Sequence, residues 1–203
     1  MTIDVERYMT ITPANWIPGP GQGNWTYNAY AALPEDGHRY EIVDGVLFMT
    51  PAPDIPHQKA VQRLFRHLEV RIEDIGLGQV FVAPVDVELS PENVFEPDVI
   101  VVLNAGSDKV KRTHIVGSPD LVVEVASPST RKRDRTTKRD AYAHAGIQEY
   151  WLVDTTTRTI EVLFLDNGVY RSMGTFSGQD TLVSQIVPTI ADVHAEQCFM
   201  VEY

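Results

Sequence analysis

Two short apolar runs, Val99–Leu103 and Leu121–Ala126, constrain the fold of this chain more than any other feature. Apolar runs of this length predict strands of a sheet whose faces are covered by other elements. Asp98 precedes the first run, and Glu124 lies inside the second. A carboxylate in such a strand destabilises the fold unless it is paired, hydrogen-bonded or bound to a metal. The two strands therefore predict both the centre of the fold and a candidate site.

The patterns around these strands predict the other elements. Apolar residues three and four positions apart predict an amphipathic helix over His57–Ile75. A second helix is expected from about residue 131 to Ala145, ended by Gly146. Asp44-Gly45 and Asp166-Asn167-Gly168 predict hairpins. Further strands are expected at residues 79–83, 85–89 and 148–153. A mixed sheet with helices on its faces is the simplest arrangement.

The chain of 203 residues is long enough to bury a substantial core. Residues 1–25 are rich in Pro and Gly, which predicts an extended, weakly ordered arm before a single domain over residues 26–203. The N-terminus lacks a secretory pattern, and no apolar run approaches the roughly 18–20 residues that cross a bilayer, so we expect a cytoplasmic protein with no membrane contact. With Cys198 as its only cysteine, the chain forms no intrachain disulfide and no Cys-based zinc site.

The net charge of −11 is unusual for a protein that binds nucleic acid over its whole surface. Contact with DNA would have to come from a local basic patch. Six of the nine residues from Arg131 to Arg139 are basic. Such a run is typical of a solvated helix face, but its place just after the Glu124 strand makes it a candidate phosphate site. The candidate phosphate-binding residues are Arg131, Lys132, Arg133 and Arg135.

Asp98 and Glu124 are candidate metal ligands. If their strands lie side by side, both carboxylates reach one end or one face of the sheet. Two hard oxygen ligands suit Mg²⁺ (or Mn²⁺), which would activate water and stabilise charge on a phosphodiester. The alternative is that Glu124 caps a loop or pairs with a buried Arg, and that Asp98 belongs to a turn.

Several segments follow one another in order over roughly residues 27–165. They are Arg39-Tyr40-Glu41-Ile42-Val43-Asp44-Gly45, Pro51-Ala52-Pro53 with His57-Gln58, Ala83-Pro84-Val85-Asp86-Val87, Glu96-Pro97-Asp98-Val99, Pro119-Asp120-Leu121-Val122-Val123-Glu124-Val125 with Ser127-Pro128-Ser129-Thr130, and Tyr142-Ala143, Gly146 and Glu149-Tyr150-Trp151. This order resembles the Uma-two family of predicted restriction-endonuclease-like proteins. The N-terminal 25 residues and about the last thirty lie outside the resemblance.

The resemblance implies the PD-(D/E)xK nuclease core. The expected fold is α/β (α+β), a mixed sheet flanked by helices with hairpins before and after the core. The implied activity is Mg²⁺-dependent hydrolysis of phosphodiester bonds in DNA. Asp98 and Glu124 would be the metal ligands, and the Val125 carbonyl would be a further ligand.

The sequence departs from the general pattern at Ala126, where that pattern has Lys. The resemblance implies that the basic role has moved to Lys138, which would orient the attacking water or stabilise the phosphate. It also implies Glu41 as a further acid near the metal, although Glu41 would alternatively brace Arg39 or the turn.

Other residues that match the family carry no settled role. His57 and Gln58 stand at a helix start, where they either cap the helix or support the metal ligands. Asp86 either faces the cleft or caps a bend after Pro84.

Three functions remain open. The first is a metal-dependent endonuclease. The second is an inactive nuclease fold that binds DNA or a protein, which Ala126 and the acidic charge favour. The third is an interaction protein that docks a partner through its arm, with Trp16 and Trp25. A homodimer is expected only by analogy with nucleases that cut two strands.

Overall fold

The computed structural model describes residues 12–34, 36–127 and 129–199, and their strands form two six-stranded sheets. The strands of the first sheet are β1 (Thr12–Pro13), β2 (Arg39–Val43), β3 (Val46–Thr50), β5 (Val87–Ser90), β6 (Asn93–Phe95) and β8 (Ile115–Val116). Those of the second are β4 (Gly78–Val82), β7 (Val99–Leu103), β9 (Leu121–Ala126), β10 (Glu149–Asp154), β11 (Thr159–Asp166) and β12 (Val169–Ser177). The strand orders are β1-β3-β2-β6-β5-β8 and β12-β11-β10-β9-β7-β4.

The helices are few. A single turn, α1, covers Tyr27–Tyr30, and α2 covers Ile55–Ile72. The third helix, α3, has three segments: α-helical Arg131–Arg133, a π-helical turn at Asp134–Lys138 and α-helical Arg139–Ala145. Short 3₁₀ segments lie at Asn104–Lys109, Pro188–Asp192 and Ala195–Cys198. None of the helices in the described ranges has the length and apolarity needed to cross a membrane.

Helix α2 covers one face of the second sheet, and it begins two residues before and ends three residues before the predicted bounds, His57–Ile75. The Asp54 side chain accepts a hydrogen bond from the His57 amide at 2.9 Å and caps the helix N-terminus. Residues three and four positions apart then face the sheet and are buried. They are Ala60, Val61, Leu64, Leu68 and Ile72. The C-terminal 3₁₀ segments pack into the same cluster through Ile190 and Cys198.

The opposite face of the second sheet packs against α3 and the first sheet. Val122 and Leu152 of this face join Tyr142 of α3 and Phe95 of β6 in a second apolar cluster. Because side chains alternate along a strand, Glu124 lies on the same face of β9 as Val122. The Glu124 carboxylate is thus directed toward α3 and the junction of the two sheets.

The predicted fold class and its central strands are confirmed. The bounds of β7 and β9 are those of the two apolar runs, and β9 pairs in parallel with β10 and antiparallel with β7. The single mixed sheet is replaced by two, because the Asp44-Gly45 hairpin pairs with β6 instead of joining the central sheet. The strands predicted at residues 79–83 and 85–89 correspond to β4 and β5, which belong to different sheets.

The described part of the predicted N-terminal arm is packed, contrary to the expected weak order. Residues 1–11 lie outside the described part of the chain. From Thr12 onward the segment pairs with β3, and Ala14 and Trp25 are buried in an apolar cluster over the first sheet. Trp25 is 1% exposed, whereas Trp16 is 52% exposed, so only Trp16 of the two is free to contact a partner.

Gly45 holds the first hairpin against the packed arm. Its φ is 72°, and a Cβ at this position would lie 2.6 Å from the Gly23 carbonyl oxygen. We expect Gly45→Ala to lower the free energy of unfolding by more than Gly76→Ala. Gly76 has φ 73° but open space around it, so its cost is limited to the left-handed backbone, about 1–2 kcal/mol. Urea denaturation of both variants measures this difference, and equal losses would show that the hairpin adapts to the Cβ.

Candidate active site

Asp98 and Glu124 lie side by side in the structure. The register of β7 against β9 pairs Val99 with Val123, so Asp98 and Glu124 occupy the next facing positions. The Asp98 Oδ2 atom accepts a hydrogen bond from the Val125 amide at 2.8 Å. Both carboxylates are buried and line one cleft of about 100 Å³ between the sheets.

Lys138 reaches Glu124 from the helix. Its Nζ lies 2.8 Å from Glu124 Oε1 and 2.7 Å from Glu41 Oε1. Residue 126, on the same face of β9 as Glu124, is Ala, so the ammonium comes from α3 instead of the strand. Asp134 and Tyr142 lie four positions before and after Lys138, on the same side of α3, and both are buried as well. The inner face of α3 is therefore polar.

Glu41 of β2 is the second partner of Lys138. Its Oε1 also accepts a hydrogen bond from the Glu96 amide at 3.2 Å, and its Oε2 lies 2.8 Å from Arg133 Nη1. Burial opposes ionisation of Glu41, but the charges of Lys138 and Arg133 outweigh it and lower the pKa to about 2. Glu41 is therefore an ionised partner that holds Lys138 in place, and it does not brace Arg39, which pairs with Glu96.

Glu124 has the opposite electrostatic environment. Burial raises its pKa to about 8, opposed by Lys138 and reinforced by the nearby carboxylates of Asp134 and Asp98. The Tyr142 hydroxyl donates to Glu124 Oε1 at 2.6 Å, the atom that also contacts Lys138. Glu124 is thus held by two donors within a group of acids, where a nearby cation favours its charged form.

His57 supports Asp98 from the start of α2. Its Nε2 lies 3.2 Å from Asp98 Oδ2, and the residue is buried against the cleft. Asp98 Oδ2 is thereby shared between the His57 ring and the Val125 amide. Two contacts to the same oxygen fix the orientation of the carboxylate.

The charge of the cleft favours a cation. Six acidic residues line it, against two basic residues, Arg39 and Lys138, and a bound cation would favour the ionised form of Glu124, whose pKa burial raises. The acids are Glu41, Asp54, Glu96, Asp98, Glu124 and Asp134. Electrostatic attraction of this kind raises the affinity for a positively charged ligand.

The free carboxylate oxygens of the cleft suit a divalent cation that takes its other ligands from outside the chain. In the described ranges, no group of three or more His, Cys, Asp or Glu side chains is placed to hold a metal, since Lys138 separates Glu41 from Glu124. Asp98 Oδ1 and Glu124 Oε2 nevertheless take part in no hydrogen bond between described residues. Mg²⁺ is commonly held by one or two carboxylates together with water and phosphate oxygens, which matches this pair. The Val125 backbone also lines the cleft.

The four basic residues predicted to bind phosphate do not line the cleft. Arg131 pairs with Asp154 at 2.7 Å, and Arg135 pairs with Glu161 at 2.7 Å. Arg133 points inward to Glu41, and Lys132 is exposed to solvent. The helix thus divides the basic run between its inner and outer faces, because successive residues of a helix point in different directions.

Two other predicted residues lie outside the cleft. Gln58 is exposed and borders a neighbouring groove beside α2. Asp86 accepts a hydrogen bond from the Tyr30 hydroxyl at 3.1 Å and lines a different cavity. The first of the two alternatives for Asp86, that it faces the cleft, therefore does not agree with its position in the structure.

Among the residues that sequence reasoning missed are Arg39 and Asp134, which line the cleft, and Tyr142, whose hydroxyl contacts Glu124. A signal existed for each. Arg39 is two positions from Glu41, so both share a face of β2. Asp134 and Tyr142 are each four positions from Lys138, which places them on the same side of α3.

Comparison with known proteins gives the family. A family model described as "Uma2: Putative restriction endonuclease" matches residues 27–194. The chain belongs to this family. The Uma2 match extends beyond the residues 27–165 that resembled it by motif, into the C-terminal segment that packs under α2.

A solved structure shares the fold of this Uma2 protein. It is titled a "putative nuclease belonging to DUF820" from Anabaena variabilis, and it is 19% identical, with a TM-score of 0.69. The likeness covers 85% of this chain and 96% of that one. No curated protein matches the sequence.

Proposed function

We propose that this Uma2 protein is a metal-dependent endonuclease that hydrolyses phosphodiester bonds in DNA. The observation that carries the proposal is the placement of Asp98 and Glu124 at facing positions, with the ammonium of Lys138 2.8 Å from Glu124 in the same cleft. Two carboxylates and one lysine in this order are the residues that the family resemblance implies for hydrolysis. Ala126 does not remove the basic group, because Lys138 supplies an ammonium from α3.

Each residue has a role in the proposed reaction. Asp98, Glu124 and the Val125 carbonyl would hold Mg²⁺ or Mn²⁺. When bound, the metal would activate water and stabilise the negative charge of the phosphate. Lys138 would orient the attacking water or stabilise the charge on the phosphate, and Glu41 would hold Lys138 in position. His57 would keep Asp98 turned so that Oδ1 stays free for the metal.

Titration of Mg²⁺ and Mn²⁺ tests this proposal. We expect saturable binding in the wild type and at least a tenfold loss of affinity in Asp98→Asn and Glu124→Gln, together with loss of DNA cleavage. The matched control is Asp74→Asn, an exposed carboxylate just beyond α2. Circular dichroism verifies that the variants are folded.

Three outcomes would contradict the proposal. Identical metal titrations in the wild type and both cleft variants, repeated with a non-cleavable DNA duplex present, would remove the metal from Asp98 and Glu124. Full cleavage by both variants would place the chemistry elsewhere. A wild type that binds DNA without cleaving it would instead support the inactive binding module.

A further inference from the structure

A nuclease cleft needs a cation that is free to contact substrate phosphate. Lys138 is 7% exposed and lies between two carboxylates. The basic residues at the start of α3 do not line the cleft. Arg39 does line it, and its side chain is 29% exposed.

The guanidinium of Arg39 is held from one side only. Its Nε donates to the carboxylate of Glu96, and its Nη2 donates to the Glu96 carbonyl oxygen at 3.3 Å. Glu96 is buried and therefore gives Arg39 a fixed support. No hydrogen bond between described residues uses Nη1 of Arg39. The guanidinium is thus oriented while part of its donor set stays open.

Arg39 also stands beside the acids of the site. It shares a face of β2 with Glu41. Burial opposes the charge of Arg39, but Glu96, Asp98 and Glu41 outweigh it and raise its pKa. A planar guanidinium with free N–H groups binds phosphate oxygens in a defined geometry, better than a lysine does.

We propose that Arg39 binds a phosphate of the nucleic-acid backbone at the exposed side of the cleft and sets the position of the strand relative to Asp98. The inference rests on the proposed function, because it takes the substrate to be DNA. Glu96 is then a positioning residue for Arg39. The basic surface at the start of α3 is not the principal phosphate site.

The test measures binding of a short DNA duplex in EDTA by fluorescence anisotropy over a range of salt concentrations. We expect Arg39→Gln to weaken binding at least tenfold and to reduce the slope of log K against log salt by about 0.9, the value for one phosphate contact. Arg171→Gln, which removes an exposed arginine on β12, is the matched control and leaves both quantities unchanged. Mg²⁺ titration of Arg39→Gln should still show saturable binding.

A second variant separates binding from stability. Arg39→Gln leaves the buried Glu96 without its partner, whereas Arg39→Gln with Glu96→Gln removes both charges. The double variant should recover thermal stability without recovering affinity for the duplex. Recovery of affinity together with stability would overturn the inference, because the loss would then have come from misfolding.

The two proposals fail in different ways. Cleavage by Arg39→Gln with the wild-type KM, or a greater loss of affinity in Arg135→Gln, would overturn the role of Arg39 and leave the nuclease intact. A wild type that binds the duplex through Arg39 but never cleaves it would overturn the nuclease and leave this role intact. A wild type with no affinity for the duplex would overturn the role of Arg39.

Discussion

We expect Lys138→Met to lower the free energy of unfolding by about 3–5 kcal/mol, because it removes the ammonium that contacts the buried acids Glu41 and Glu124. Met has a similar length and fills much of the same space, so the loss comes from charge and not from a cavity. Chemical denaturation with urea measures it. The matched control is Lys132→Met on the exposed face of α3, which we expect to change stability by less than about 0.5 kcal/mol.

A companion variant identifies the origin of this loss. Lys138→Met with Glu124→Gln removes the ammonium and one of its two acids, and we expect it to be more stable than Lys138→Met alone. If Lys138→Met is as stable as the wild type, the ion pairs contribute little and Lys138 is not needed to hold the site together. Under the proposed function, cleavage by Lys138→Met also falls at least about 100-fold.

Acid removes a stabilising contribution from Glu41. Its pKa is about 2 in the folded protein against 4.5 in the unfolded chain. A lowered pKa gives stability that is fully present above pH 4.5 and is lost as the pH falls toward 2. The difference corresponds to roughly 3 kcal/mol. In Glu41→Gln the decline in stability over this interval should be shallower by that amount.

Denaturation at a series of pH values measures the effect of Glu41 separately from that of Glu124. The pKa of Glu124 is raised to about 8, so its contribution is present below pH 4.5 and is lost as the pH rises through 8. The two intervals do not overlap. Parallel acid profiles for the wild type and Glu41→Gln would contradict the assignment of Glu41 as an ionised partner of Lys138.

Much of the central sheet could be predicted from the sequence, because a short and almost wholly apolar run has few alternatives to a buried strand. The bounds of β7 and β9 follow directly from Val99–Leu103 and Leu121–Ala126. The end of α3 was equally clear, since Gly146 takes the left-handed conformation that ends helices, with φ 87°. The presence of two sheets was not predictable, because β2 and β6 pair over about fifty residues of intervening chain.

The candidate site was harder to predict than the fold. Basic residues normally lie on the solvent-exposed side of a helix. Lys132 is exposed, as this pattern predicts, but Lys138 of the same run is buried. The π-helical turn that contains Lys138 has no clear sequence signal either. The partner of Arg39 is Glu96, 57 residues away, and only the folded chain shows that pairing.

The cleft lies where the two sheets meet, and this location gives it a late place in folding. Glu41 belongs to the first sheet, Glu124 belongs to the second, and Lys138 bridges them. Each sheet can form its hairpins from local contacts, but the bridge requires both sheets to be docked. We therefore expect a refolding chain to form its hairpins before the three charged groups of the cleft come together.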